Sequence, residues 1–430
     1  MILQHECHLH LYGCLDPQDF WQVAASRAKS QATRFQWFLS EYERTTGVRV
    51  DADRWWSSDD GFARFKQTYV CDKPVSFEIF QAKFNLLIAL FPPSPDDLWL
   101  AESVFKKHSL SGGFKEYRTF LPLYLPTMER TAYLRNLLLM AKSFTTKTYH
   151  PRIAVSLMRA DEEANSGYKF LRHFLDSNPD VAHLVTGIDF CASEKGHPPK
   201  SKQGFFKQVH ADNKHHQHLA ILYHVGEMWQ NISLASAARW CVEAATLGAH
   251  RLGHALALGM DINAFKGSRI HESLDECRDH LNWIRLTLNE LQAYGFGPAD
   301  YQWLQNYAER HAEQDYVIWT YDEDLIEHTT RFQDAAMQII AHRNCVIESC
   351  PTSNMRIGQL KSSSQHPLRR FLDHGLEVVV STDDPGIFDI SLASEEALLR
   401  RDFSLSDGEL QRMNHKTQTL LADGPNIKTI

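Results

Sequence analysis

LEVVVSTDDPGIF, residues 376–388, runs through apolar and β-forming side chains into two aspartates, Asp383 and Asp384, before Pro385 stops the strand. A strand buried on both faces reads as such a near-continuous apolar run, and parallel sheets covered by helices are built from strands of this kind. Seven more segments of similar character precede it, at about 2–10, 114–121, 152–159, 182–190, 219–224, 249–254 and 345–350. Between them lie stretches long enough for crossover helices, such as 132–144 and 234–247. Eight strands alternating with helices are the count and order of an α/β fold of the (β/α)8 TIM-barrel type, in which 376–383 is the last strand and lies beside the first.

At 430 residues the chain exceeds the ~250 of a plain barrel. Two stretches absorb the surplus, about 17–75 and 262–335, so residues 1–430 read as a single barrel with two helical insertions. The first is rich in tryptophan and charge (Trp37, Trp55, Trp56). The second shows helical spacing at Ile270, Leu274, Cys277, Leu281, Ile284 and Leu288, then GFGP at 295–298 and a further helix carrying Tyr301, Leu304 and Tyr307. Two uses stand open for them: surface elaboration with a subunit contact, which would make a homo-oligomer, or a lid over the barrel mouth, where the βα loops gather.

Apolar residues make up 43% of the chain and charged ones 23%, the balance of a soluble globular protein, and no run of 18 apolar residues offers a membrane span. The net charge of -8 comes without any basic block, which argues against a nucleic-acid surface and for a small-molecule partner. Eight cysteines are scattered without a CxxC pair, the pattern of reduced thiols in a cytoplasmic chain. MILQHECHLH, residues 1–10, is too short and too polar for a signal peptide.

With 23 histidines, a His-x-His pair arises roughly once by chance, and two occur. His216 and His218 sit in the polar cluster KHHQH and read as a solvated loop. His8 and His10 close an apolar strand, and the two-residue period puts both imidazoles on one face at its C-terminal end, where barrel enzymes place their chemistry. Taken alone, that pair leaves a metal site and a structural role equally open. LAILYHVGE, residues 219–227, ends its strand in His224 with Glu227 three residues on; the competing His210, in FFKQVHADN, lies on helical spacing with no strand leading into it. Paired aspartates such as Asp383 and Asp384 are commonly only a cap or Asx turn. In a closed barrel, however, strands one, five and eight deliver their C-terminal ends to one mouth, so His8, His10, His224 and Asp383 can converge. Three neutral imidazoles and a carboxylate suit one Zn2+, with a further position for water, whose pKa the metal lowers to about 7. His254 closes RLGH, where it reads either as a satisfied structural histidine or as a group that orients the metal's water. Glu348, Ser349 and Cys350 likewise lead out of a strand into Pro351.

HLHLYG (8–13), EYR (116–118), GIDF followed by Glu194, HVGE (224–227), RLGH (251–254), SCPTSN (349–354) and STDDP (381–385) together resemble the adenosine deaminase family, zinc-dependent purine deaminases of the amidohydrolase superfamily, in the same order. IFQAKF (79–84), with Phe80 and Phe84, is similar to that family's substrate-covering helix. The resemblance covers the barrel from end to end outside the two insertions. It implies hydrolytic deamination of a 6-aminopurine, with His8, His10, His224 and Asp383 as metal ligands and Glu227 as proton donor to purine N1. By the same resemblance His254 and Asp383 handle the attacking water, and Asp384 meets N7. Two departures bear on substrate. Tyr12 stands where the family carries an acidic or amide residue against the ribose, and Ala192 where it has a glycine whose backbone N–H meets the purine. They imply a substrate with a different appendage, such as a nucleotide or modified nucleoside.

Two other readings remain beside this one: a barrel metallohydrolase acting on another amine- or amide-bearing ring, since fold does not fix substrate, and an inactive binding or assembly protein that uses its insertions as an interface. The H-x-E and P-C-x-x-C signature of the other zinc deaminases is absent.

Overall fold

The computed structural model describes residues 1–358 and 360–422. Eight of its strands form one parallel sheet, in the order β1 (Glu6–His10), β2 (Gly113–Phe120), β3 (Tyr149–Leu157), β4 (Val185–Phe190), β5 (Ala220–Val225), β6 (Arg251–His254), β9 (Val346–Ser349) and β10 (Val378–Val380). The sheet closes on itself just past β10: the His10 N–H donates to the Asp383 carbonyl at 3.0 Å and the Asp383 N–H to the His8 carbonyl at 3.2 Å. The result is the (β/α)8 barrel expected from the strand count.

The strands lie buried along nearly their whole length, as their apolar runs require. Several ends of the expected strands are not strand, residues 2–5 and 249–250 among them. Residues 182–184 lead out of the helical turn Pro179–Ala182, and the last strand stops at Val380, so Asp383 lies on the turn that follows. The crossover helix Leu234–Leu247 starts on the Ser233 side chain, which accepts from Ser236 N–H at 3.1 Å, and ends on Gly248 at φ +103°. Its small-residue sequence, LASAARWCVEAATL, is buried on nearly every side because residues of 262–335 pack on it; Trp240 Nε1 donates to Glu276 at 2.9 Å.

Within 262–335 the helices Leu274–Gln292 and Pro298–Arg310 match the expected spacing. Ile270 does not belong to the first of them. β7 (Arg269–Ser273) pairs antiparallel with β8 (Tyr316–Thr320), Ile270 opposite Trp319, and the helix begins only at Leu274 on a Ser273 cap. Ile270 falls on the helical period by coincidence, while its β-branched side chain and the YVIWT partner strand favour the antiparallel pair. Residues 17–75 form the helices Pro17–Ser30, Ala32–Thr46, Arg54–Ser57 and Gly61–Tyr69 around edge-on aromatics, with Phe20 and Trp55 ring centroids 5.0 and 5.3 Å from that of Phe65. No helix among the described residues is long and apolar enough to cross a membrane.

Candidate metal centre and active site

The C-terminal ends of β1, β5, β6 and the turn after β10 meet at one point. Ring centroids of His8 and His224 lie 4.7 Å apart, those of His8 and His10 5.5 Å, and those of His10 and His224 5.3 Å. Asp383 Oδ1 lies 3.2 Å from His10 Nε2 and 3.5 Å from His8 Nε2. This oxygen is buried without a hydrogen-bond partner, while Oδ2 accepts from Ser353 Oγ at 2.7 Å. An ionised oxygen left bare in the interior is costly unless a cation or donor meets it, and here it faces two imidazole nitrogens that serve metals. Among the described residues, His8, His10 and Asp383 offer ligand atoms within 4.8 Å of one another, and so do His8, His224 and His254.

Carboxylates aim the rings. His8 Nδ1 lies 2.9 Å from Glu348 Oε2 and His224 Nδ1 lies 3.1 Å from Asp189 Oδ1, the arrangement that fixes the tautomer of metal-binding histidines, and each Nε2 turns toward the cluster, where Arg118 Nη1 stands 3.2 Å from that of His8 and 3.3 Å from that of His224. Arg118 holds both carboxylates, bonding Glu348 through Nη2 and standing 3.4 Å from Asp189 through Nη1. Arg251 spans Glu348 and Glu116 at 2.8 and 2.7 Å, so the barrel floor is a neutralised network of buried charge. Burial, and then the Arg118 charge, hold His8 well below the ordinary histidine range; burial also brings His224 down to about 4 against the pull of Asp189. Both rings are therefore neutral at pH 7, as ligands must be, whereas His10, against its burial, is lifted to about 9 by the Asp384 and Asp383 carboxylates.

Glu227 follows β5 on a loop that Glu194 gathers: its carboxylate accepts from the N–H groups of Gly226, Glu227 and Met228 at 2.8, 3.0 and 3.0 Å. Burial raises the Glu227 pKa above the usual carboxylate range against the nearby His254, with the Asp383 and Glu194 charges adding to the rise. His254 Nε2 lies 3.7 Å from Glu227 Oε1, and its Nδ1 is fixed 2.8 Å from Asn354 Oδ1. Asp384 is buried, with Oδ1 unpartnered and its pKa pushed well up by burial and by Asp383. It sits so close over Gly13 that a β-carbon there would lie 1.6 Å from Asp384 Oδ1.

A cavity of about 320 Å³ opens over these groups and is bordered by His10, His224, Glu227, His254, Asp383 and Asp384. Phe80 and Phe84, on the helix Phe77–Leu90, form one wall, and Tyr12 and Ala192 also border it. His8 alone of the residues singled out from sequence lies behind this surface, fully buried. Tyr12 turns its hydroxyl away, donating to the Phe91 carbonyl at 2.9 Å. Ala192 takes the left-handed φ of +67°, a conformation natural to glycine. Arg159 fixes it, donating to the Ala192 carbonyl at 3.2 Å and to the His224 carbonyl at 2.7 Å. His210 lies on the helix Gln203–Asp212, its ring against His250 and outside the cluster.

Arg118, Asp189, Glu194, Ser353 and Asn354 carry no individual role in the sequence reading, although each falls in or beside a quoted motif. Their signal was available: a charged or polar residue inside a buried strand run must have a partner, and Arg118 and Asp189 interrupt such runs.

Residues 317–420 match the family model of adenosine deaminase. An adenosine deaminase of Shewanella denitrificans is 36% identical over 77 residues, 18% of this chain and 23% of that protein. The chain thus spans about a quarter of the length of the curated relatives it matches. Among solved structures, an amidohydrolase from Burkholderia ambifaria with bound Zn aligns with TM-score 0.55 and 15% identity over 98% of this chain and 85% of that one. Arabidopsis ADAL complexed with IMP gives TM-score 0.55 and 15% identity over 98% and 96%. The structural likenesses show the fold, and the sequence matches show that residues 317–420 are similar to adenosine deaminases.

Proposed function

We propose that the chain is a zinc-dependent hydrolytic deaminase of a 6-aminopurine nucleoside or nucleotide, with one ion per chain held by His8, His10, His224 and Asp383. The observation that carries this reading is the bare, buried Asp383 Oδ1 facing Nε2 of His8 and His10, beside a carboxyl whose surroundings favour its protonated form. The donor set fits a borderline cation such as zinc, and a neighbour in fold was solved with bound Zn. Zinc bound there supplies acidification of a water molecule at neutral pH.

The protein's own groups account for the rest. Water adds to the ring carbon that bears the amine, a C–O bond forms, aromaticity is lost, and N1 must gain a proton as the adduct forms. Glu227 in its protonated form delivers it. His254 holds the attacking water and takes its proton, with Asn354 fixing the ring. Asp384 meets N7 and sets the plane of the purine, with Phe80 and Phe84 closing over it. His254 passes that proton to the amine, the C–N bond breaks to release ammonia, and the adduct hydroxyl returns a proton to Glu227 as the C=O bond forms. The relationship to adenosine deaminases supports this substrate class, and the IMP complex of a fold neighbour supports its extension to nucleotides. We further propose that residues 1–430 act as one catalytic unit in which 17–75 and 262–335 are insertions, in a cytoplasmic setting.

The test is to incubate purified, zinc-loaded protein with adenosine, deoxyadenosine, adenine and AMP and follow the ultraviolet shift from amine to oxo. Silence on all four, and on adenosines altered at the 5′ position, overturns the purine reading. Glu227→Gln is expected to keep its metal and lose about 10²- to 10⁴-fold in turnover. Loss of metal instead would contradict the proton-donor role.

A further inference from the structure

Outward from the catalytic groups the same cavity continues between Phe80, Phe84, Ile88, Pro93, Leu121 and Pro122, a chamber walled by hydrocarbon. Phe120 and Tyr124 extend it to the rim, 41% and 64% exposed. The polar groups along this wall are mostly committed. The Tyr12 hydroxyl is spent on the Phe91 carbonyl, and Gln81 Nε2 donates to Asn85 Oδ1 at 3.1 Å. Arg118 is held at the floor by Glu348 and Asp189. Beside the histidines of the site, Arg34 is the other basic side chain that borders the cavity among the described residues; it is exposed at the rim, with Nη1 3.5 Å from the Ile88 carbonyl. Thr119 Oγ1 is buried and unpartnered, a single hydroxyl able to meet one polar group of a ligand. A phosphomonoester needs several donors to replace its water, and this chamber presents one exposed guanidinium, the Thr119 hydroxyl and, at the rim, that of Tyr124.

We propose that the chamber selects 6-aminopurine derivatives with an uncharged, apolar tail, an alkyl or thioether group standing where adenosine has its 5′-hydroxyl and AMP its phosphate. The inference rests on the deaminase reading above and narrows its substrate. Tyr12 contributes by shape: its ring borders the cavity while its one polar atom points into the wall, so a tail hydroxyl finds no acceptor there. Each methylene buried against such a wall strengthens binding about fourfold.

The experiment compares kcat/KM for AMP, adenosine, 5′-deoxyadenosine and 5′-deoxy-5′-alkylthioadenosines with methyl, ethyl and propyl tails, together with Kd for the same compounds on the metal-loaded Glu227→Gln variant. The expected ranking places AMP at least tenfold below adenosine, 5′-deoxyadenosine above adenosine, and the thioethers rising with chain length in both measurements. Ile88→Arg, on the exposed side of its helix, should raise AMP and lower the thioethers. Deamination that is fastest on AMP or adenosine overturns the inference and leaves the deaminase reading standing. Tight, length-dependent binding of the thioethers with no turnover of any compound by the unmodified protein overturns the deaminase reading and leaves the apolar chamber standing.

Discussion

Gly13 offers the sharpest test of how Asp384 is aimed. A β-carbon at this position would fall 1.6 Å from Asp384 Oδ1, 2.4 Å from its Cγ and 2.7 Å from its Cβ, whereas real contacts essentially never come under 3.0 Å. The carboxyl would therefore have to retreat by about 1.4 Å, and the space open to it is the cavity it borders, where the purine would lie. Gly13 lies outside the left-handed region, so alanine is conformationally allowed and the effect isolates the close approach. Overpacking of this kind destabilises by about 1–3 kcal/mol, offset in part by the 0.4–1 kcal/mol or so that alanine gains from a stiffer unfolded chain. A displacement of about 1 Å in a positioning group can reduce the rate about 10²-fold. Gly13→Ala should therefore lower kcat/KM by about that factor with zinc content unchanged, read from initial rates, metal analysis and a thermal melt. Gly204→Ala is the control, since a β-carbon there meets nothing within 4 Å. Wild-type kcat/KM in the Gly13 variant would refute the claim that Asp384 must occupy its observed place.

Glu348→Gln removes the carboxylate against His8 Nδ1 and is expected to weaken zinc binding about 10- to 100-fold, measured by competition with a chelator; unchanged affinity would show that the ring needs no such support. Because burial raises Glu227, kcat/KM should hold to higher pH than an ordinary carboxyl allows and fall as pH rises through its pKa; a basic limb that persists unchanged in Glu227→Gln would assign it to another group. Glu395 is buried, accepts from the Thr352 N–H and hydroxyl, and is pushed up to about 7 from its ordinary 4.5. Its stabilising contribution is complete below the unfolded pKa and is lost as pH rises through the folded one. Glu395→Gln should therefore gain up to about 3 kcal/mol on the parent at pH 8 and none near pH 4, by denaturant unfolding at both pH values.

The barrel was legible because its strands are buried on both faces and announce themselves as apolar runs, and because the residues of interest sit where those runs end. β7 and β8 were not, since Ile270 happens to fall on the period of the helix that follows, and the two strands of this antiparallel pair are separated in the chain by two helices. The candidate ligands were legible by order and position. The groups that aim them were not, because pairing is a property of the closed barrel: Glu348 lies 340 residues from His8, and Arg118 lies 230 from Glu348. Nothing local in the chain records those bonds; only the rule that a buried charge must find a partner hints at them.

Of the eight non-glycine residues with left-handed φ among the described residues, three border the candidate site. Ala192 at φ +67°, His254 at +62° and Asp383 at +66° follow or close β4, β6 and β10 at the barrel mouth, and each is a non-glycine residue in the left-handed region, at about 1–3 kcal/mol apiece. Such conformations persist only where the surroundings fix them, and each is pinned differently. Asp383 is held by two backbone hydrogen bonds to β1, His254 by Asn354, and Ala192 by Arg159. Two of the three pins are side chains from elsewhere in the fold, so removing one releases the strain locally without opening the barrel. The aim of the site is thus less stable than the fold that carries it, and damage to Asn354 or Arg159 should cost activity before it costs structure.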